Sequence, residues 1–175
     1  MNTMLGTPTS LLPPDVTESM QRHIKLELMA SQTYYAAELR CEDLGLDGAA
    51  AYFRFQKEEE RVHAAGLQQY LYDRKVDRRA PALEEVDFGE KDLGAMLAHA
   101  EELETELRDS YQELKALTSE QDGTTETYID EVLNRQRLEV GETRHWVDRF
   151  QAIGTTPAGL GVIDQELGAA AAAGA

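Results

Sequence analysis

The sequence predicts an all-α fold, a four-helix up-down-down-up bundle with one long crossover and a short fifth helix near its C-terminal end. Three observations lead there. Apolar residues recur with a helical period over four stretches of about 28 residues. No long run of alternating β-branched residues competes with them. A connection of 17 residues, 75 through 91, divides the four stretches into two pairs. A helix of about 28 residues is about 42 Å long, whereas 17 extended residues reach roughly 56 Å. The connection can therefore run the full length of the bundle, joining two tight hairpins by a single crossover.

Each stretch carries its own start and stop signals. After Pro13-Pro14, Asp15 and Glu18 have the spacing of a capping box and open a helix over 16–44, which Gly45 ends. Asp47 can cap a second helix over 48–74. Residues 75–91 hold Pro81, Gly89 and mixed charges without a period, as a connection does. A third helix covers 92–119, and a polar break at 120–123 precedes a fourth over 124–153, stopped by Gly154. Thr156-Pro157 reads as an N-cap and first helical position, opening a fifth helix to Leu167. The organisation is thus an N-terminal extension (1–14), one helical domain (15–167) and a mobile tail of small residues (168–175).

Composition narrows the function classes. The chain has 175 residues, enough for one domain. Against 33 Asp and Glu stand 17 Lys and Arg, a net charge of −16. Such a field repels phosphate backbones and anionic lipid and attracts cations, which excludes nucleic-acid and membrane-surface partners. No apolar run approaches the roughly 20 residues that span a bilayer, and the first residues lack the pattern of a secretion signal. The single cysteine, Cys41, excludes a disulfide-stapled scaffold. A cytoplasmic location is expected.

The informative residues are ionisable ones in the middle of apolar stripes. At about 100° per residue, Met20, His23 and Tyr34 lie within about 40° of Glu27. Around Glu60, Phe53, Leu67 and Leu71 lie within about 20°, with His63 on the flank at about 60°. Leu93, Leu97 and Tyr111 bracket Glu104 within about 20°, and Ile129, Val132, Val140 and Phe150 surround Gln136 within about 40°, with Glu139 about 60° away. Heights agree as well. Residues 27 and 63 are nearly equidistant from the turn near 46, and residues 104 and 136 from the turn near 121. Glu27 is therefore expected beside Glu60 and His63, and Glu104 beside Gln136.

Carboxylates gathered in a low-dielectric core repel one another and are costly to desolvate, and two divalent cations would remove that cost. Carboxylate oxygens with imidazole and open positions suit iron or manganese better than structural zinc. Glu60, central and part of a Glu-x-x-His pair, is the expected bridging ligand. A second pair of that spacing, Glu142 with His145, points about 120° and 180° away from Gln136 and reads as solvated surface. Glu58, Glu101, Glu102 and Glu106 read the same way. Cys41 reads as a small buried hydrophobe. Glu38 falls on the apolar stripe with no partner evident from the sequence.

These residues are familiar together. Leu26-Glu27-Leu28-Met29-Ala30-Ser31 with Tyr34, then Glu58-Glu59-Glu60-Arg61-Val62-His63-Ala64, and the ending Gly161-Val162-Ile163-Asp164-Gln165-Glu166-Leu167 resemble the non-haem bacterial ferritins over 12–167. The resemblance implies that Glu27, Glu60 and His63 hold a first iron and that Glu60 and Glu104 hold a second. It makes Tyr34 the tyrosine beside the centre, Gln136 the glutamine facing the second iron, and Glu139 one ligand of an accessory third site. It implies a homo-oligomeric shell of about 24 subunits. That shell would oxidise Fe(II) with oxygen or hydrogen peroxide and store ferric mineral inside.

The chain also departs from the family pattern. Arg135 and Leu138 stand where ferritins with a third iron site carry acidic ligands, leaving Glu59 and Glu139. Val62, Ala65 and Gly66 replace inward acids past Glu59. Arg61 follows Glu60 where haem-bearing bacterioferritins have methionine, so no haem is expected. A DNA-protecting mini-ferritin is disfavoured by the fifth helix, the intra-bundle site and the lack of a basic tail. Glu126 and Asp130 at the start of the fourth helix are candidates for an ion route, although solvated surface is the simpler reading. The expected activity is therefore ferroxidase and iron storage. A non-storing di-iron oxidase or peroxidase of the rubrerythrin kind and an acidic scaffold with a vestigial site remain the alternatives.

Overall fold

In a computed structural model, which describes residues 10–174, five α-helices form: α1 (Pro14–Asp43), α2 (Asp47–Asp73), α3 (Leu93–Gln121), α4 (Gly123–Arg149) and α5 (Pro157–Gly174). A π-helical turn, Phe150–Gly154, joins α4 to α5. Among the described residues there is no strand, so the all-α prediction stands. Residues 1–9 of the expected N-terminal extension lie outside the described residues, as does Ala175.

Helix ends show where neighbours in space outweigh local signals. Asp92 caps α3 by accepting from the Ala95 N–H at 2.9 Å, and Asp122 caps α4 by accepting from Thr124 and Thr125. Thr156 caps α5 as expected, its Oγ1 accepting from the Gly159 N–H at 3.1 Å. The capping box at Asp15 does not form. Pro14, with its fixed φ and no N–H to satisfy, starts α1 first, which puts Asp15 inside the helix. Asp47 likewise lies within the first turn of α2, and the cap comes from another helix: Asp164 of α5 accepts from the Ala49 N–H at 2.8 Å.

The fifth helix extends past Leu167 to Gly174, so residues 168–174 are helical, not the mobile tail expected. Its alanines have the highest helix propensity, and Ala171 is buried. Two glycines allow the close approach of α5 to α2. A Cβ on Gly48 would lie 1.9 Å from the Asp164 carbonyl oxygen, and one on Gly168 would lie 3.0 Å from the Gly48 Cα.

The crossover follows the outer face of α1 from end to end. Gln21 donates to the Asp77 carbonyl at 2.9 Å, Lys25 pairs with Glu84 at 2.6 Å, and Arg40 donates to the Lys91 carbonyl at 3.0 Å. Val76 and Phe88 anchor its two ends in the core. This path returns the chain to the α1–α2 turn, so α3 runs parallel to α2 and α4 parallel to α1.

The core is divided into two apolar layers. One contains Val16, Met20, Ile24, Leu67, Leu71, Tyr111, Leu114, Ile129 and Val132. The other contains Tyr34, Ala37, Cys41, Tyr52, Phe53, Leu93, Met96, Leu97 and Trp146, with Ile163 and Leu167 of α5. Between them, at mid-height on every bundle helix, is a polar layer.

Candidate metal centre

The polar layer is built from one or two residues per helix. Glu27 of α1, Glu60 and His63 of α2, Glu104 of α3 and Gln136 of α4 are all buried, with Glu27 and Glu104 at 0% exposure. The helical period that buries the flanking leucines and valines necessarily aims these side chains inward. Ligand atoms of Glu27, Glu60 and His63 lie within 4.8 Å of one another, a spacing that one cation can bridge. His63 Nδ1 is 3.2 Å from Glu60 Oε2 and 3.9 Å from Glu27 Oε2. Glu104 sits across the layer, receiving hydrogen bonds from the Tyr34 hydroxyl on one oxygen and from Gln136 Nε2 on the other.

Hydrogen bonding leaves the centre incomplete. Glu27 Oε2, Glu60 Oε1 and Gln136 Oε1 are buried without a partner. Buried carboxylate oxygens of this kind are costly unless protonated or coordinated. Burial first, and the neighbouring Glu60 second, push the Glu27 carboxyl well above the ordinary range. Burial and the Glu104 charge do the same to Glu60. Glu104 is pushed up to about 7 by burial, against the hydrogen bonds from Tyr34 and Gln136. Burial also raises the Tyr34 hydroxyl well above its usual value, so it remains a donor. Three oxygen-donor carboxylates, one imidazole and unpaired oxygens fit divalent iron or manganese.

Glu139 occupies a different place from the rest. It sits on the other side of the imidazole, its Oε1 3.4 Å from His63 Nε2 and 3.6 Å from Arg135 Nε, and burial pushes its carboxyl up to about 7. Glu59 is half-buried and outside the Glu27–Glu60–His63 group. Glu142 and His145 are exposed, as are Glu58, Glu102 and Glu106, while Glu101 pairs with Arg144 at 2.8 Å. Asp130 is paired with Lys115 at 2.5 Å. Glu38, unaccounted for in the sequence, is held between Arg54 at 2.7 Å and Lys57 at 2.8 Å.

Two contacts escaped the sequence reading. Tyr111, counted there as part of the apolar stripe, donates its hydroxyl to Glu27 Oε1. His23, also counted on a stripe, is fully buried with Nδ1 2.7 Å from the Ser19 carbonyl and Nε2 2.9 Å from Ser110 Oγ. A tyrosine facing a carboxylate level from a neighbouring helix is the signal that could have identified the first. Nothing in the sequence pointed to the Ser110 contact.

Comparison with known proteins gives the family and the fold. The family description "Ferritin-like domain" matches residues 17–153. The bacterial non-heme ferritins of Escherichia coli O6:H1 and of Shigella flexneri are each 26% identical over 158 residues, covering 90% of this chain and 96% of theirs. The open-pore ferritin of Archaeoglobus fulgidus superposes with a TM-score of 0.88 at 22% identity, over 91% of this chain and 98% of that one. An engineered closed form of the same archaeal ferritin gives 0.86 at 23%, over 90% and 96%. At these identities the solved structures speak to the fold.

Proposed function

The chain belongs to the ferritin-like family, and from that premise we propose that it oxidises Fe(II) to Fe(III) at the buried centre and stores the ferric product inside a shell of about 24 copies. Iron is here the substrate and cargo. The observation that carries the reading is the Glu27–Glu60–His63 group, its orphaned carboxylate oxygens facing a low-dielectric layer. In this reading Glu27, Glu60 and His63 hold one ferrous ion, and Glu60 and Glu104 hold the second. Glu60 bridges. Gln136 turns its free Oε1 toward the second ion, and Tyr34 keeps one Glu104 oxygen oriented.

The chain's own groups account for binding and proton balance. Carboxyls that hold their protons in the metal-free core release them when a cation replaces the proton. The two ions then supply two electrons to one molecule of oxygen or hydrogen peroxide. The bundle keeps bulk water away by its apolar layers, while the net charge of −16 concentrates cations around the particle. No helix among the described residues is long and apolar enough to cross a membrane, and the reading places the protein in the cytoplasm.

Aerobic titration of metal-free protein with Fe(II), following ferric absorbance while sizing the particle, tests the proposal. Rapid oxidation saturating near about two ions per chain, in a large shell that continues to take up iron, is expected. Oxidation at the protein-free rate, or a small oligomer that precipitates iron, would overturn it.

A further inference from the structure

Among the described residues Arg135 is the one lysine or arginine within ion-pair distance of Glu139, the carboxylate on the far side of His63, and none lies that close to Glu27, Glu60 or Glu104. Its Nε is buried yet makes no hydrogen bond, and it faces Glu139, whose Oε2 is also buried and unpartnered. The guanidinium has one acidic contact, Glu139 at 3.6 Å, and where burial raises the carboxyls of Glu59, Glu60 and Glu139 its charge lowers them. Glu139 itself stands between Arg135 and His63 Nε2, while His63 Nδ1 looks the other way, toward Glu60 and Glu27. One carboxylate thus touches the far nitrogen of an imidazole whose near nitrogen lies in the metal group. In the metal-free structure the ring makes its one hydrogen bond through Nδ1, to Glu60 Oε2 at 3.2 Å; binding a cation at Nδ1 requires the ring proton on Nε2, the nitrogen that faces Glu139.

From this geometry we propose that Arg135 is a tethered cation that takes the place of a third metal ion, so that each chain binds two divalent ions and Glu139 serves to orient His63. A loose ion held by Glu139, whose Oε2 has no partner, would lie beside the guanidinium that stands 3.6 Å from the same carboxylate, and two like charges at that separation repel. Arg135 cannot lose its charge, so it closes the position at every working pH. The inference rests on the two-ion centre proposed above. Within that reading it determines metal capacity, and Arg135 and Glu139 are positioning residues.

The test counts ions without turnover. Metal-free protein is dialysed anaerobically against Fe(II), and bound ions per chain are measured for the wild type, R135E, R135Q and R135K, with particle size and helical content checked in parallel. The wild type and R135K should bind about two ions per chain, and R135E about three. R135Q, close in volume and neutral, should also admit the additional ion and serves if R135E fails to assemble. Two ions in the wild type and still two in assembled R135E and R135Q would overturn the role of Arg135 alone. Three in the wild type would overturn it as well. No ions in the wild type would sink the two-ion centre itself, and this inference with it.

Discussion

Tyr111 on α3 reaches across the bundle to donate a hydrogen bond to Glu27 Oε1 on α1, and the His23 ring lies against it with centroids 4.5 Å apart. All three residues have 0% exposure. Because the Glu27 side chain has a single protein donor on that oxygen, Tyr111 sets the direction in which the other oxygen points. Y111F removes the donor and leaves the ring. Metal-free protein should lose about 1–3 kcal/mol of stability, the cost of a buried acceptor left unsatisfied. Affinity for the first divalent ion should fall about 10- to 100-fold, as for other partners that orient ligands. Calorimetric titration with a redox-inert divalent ion measures the second quantity; unchanged affinity would show that Tyr111 does not position Glu27.

Glu60 is the acid that both ions share in the proposed centre, and its Oε1 has no protein partner to lose. E60Q should therefore stabilise metal-free protein or leave it unchanged, because a costly buried carboxyl becomes a neutral amide of the same shape. Rapid Fe(II) oxidation should nevertheless disappear, leaving the rate of protein-free solution. Stopped-flow absorbance and thermal melting on the same preparation separate the two effects. A variant that melts higher and oxidises as fast as the wild type would remove Glu60 from the reaction.

The elevated carboxyls fix the sign of the pH dependence. Glu104 and Glu139 are held near about 7, against 4.5 for an ordinary glutamate. Between those values the folded chain keeps protons that the unfolded chain has released, so stability falls as pH rises through that window and levels off above it. Metal-free protein should melt at a lower temperature at about pH 7.5 than at about pH 5.5, and a divalent ion should restore much of the loss at the higher pH by taking the place of the protons. E104Q should flatten the slope. An equal pH slope in E104Q would assign the effect to the other raised carboxyls, Glu27, Glu60 and Glu139.

The bundle was legible because its signals are periodic. The mid-stripe positions of Glu27, Glu60, Glu104 and Gln136, with their distances from the hairpin turns, placed the polar layer correctly at one level. What escaped depends on partners far apart in sequence. Glu38 showed no partner until α2 brought Arg54 and Lys57 against it. The cap of α2 is Asp164, 115 residues from the amide that it accepts from, so local reading assigned the role to Asp47. The run after Leu167 reads as a tail because small residues suggest mobility, whereas their smallness is what lets α5 seat on α2. Glu139 lay within reach of the stripe on the helical wheel, but a wheel does not distinguish the two nitrogens of His63.

The seat of α5 on α2 leaves no room for a side chain at Gly48. A Cβ on Gly48 would fall 1.9 Å from the Asp164 carbonyl oxygen and 2.7 Å from its carbon, both backbone atoms that no rotamer change can move. G48A must therefore shift α5 away from α2, breaking the bond from the Ala49 N–H to Asp164 and loosening Ile163 and Leu167 from their apolar layer. The overpacking costs about 1–3 kcal/mol and the lost cap about 1 kcal/mol more. A domain of this size should then melt about 4–16 °C lower. D164A loses only the cap and should show the smaller part of that shift. Because α5 contributes to the layer beyond the polar one and supplies no residue to the centre, the initial rate of Fe(II) oxidation should stay near that of the wild type below the melting range. If G48A oxidises iron slowly while still folded, the packing of α5 reaches the centre through Phe53 and Tyr34, which share its apolar layer.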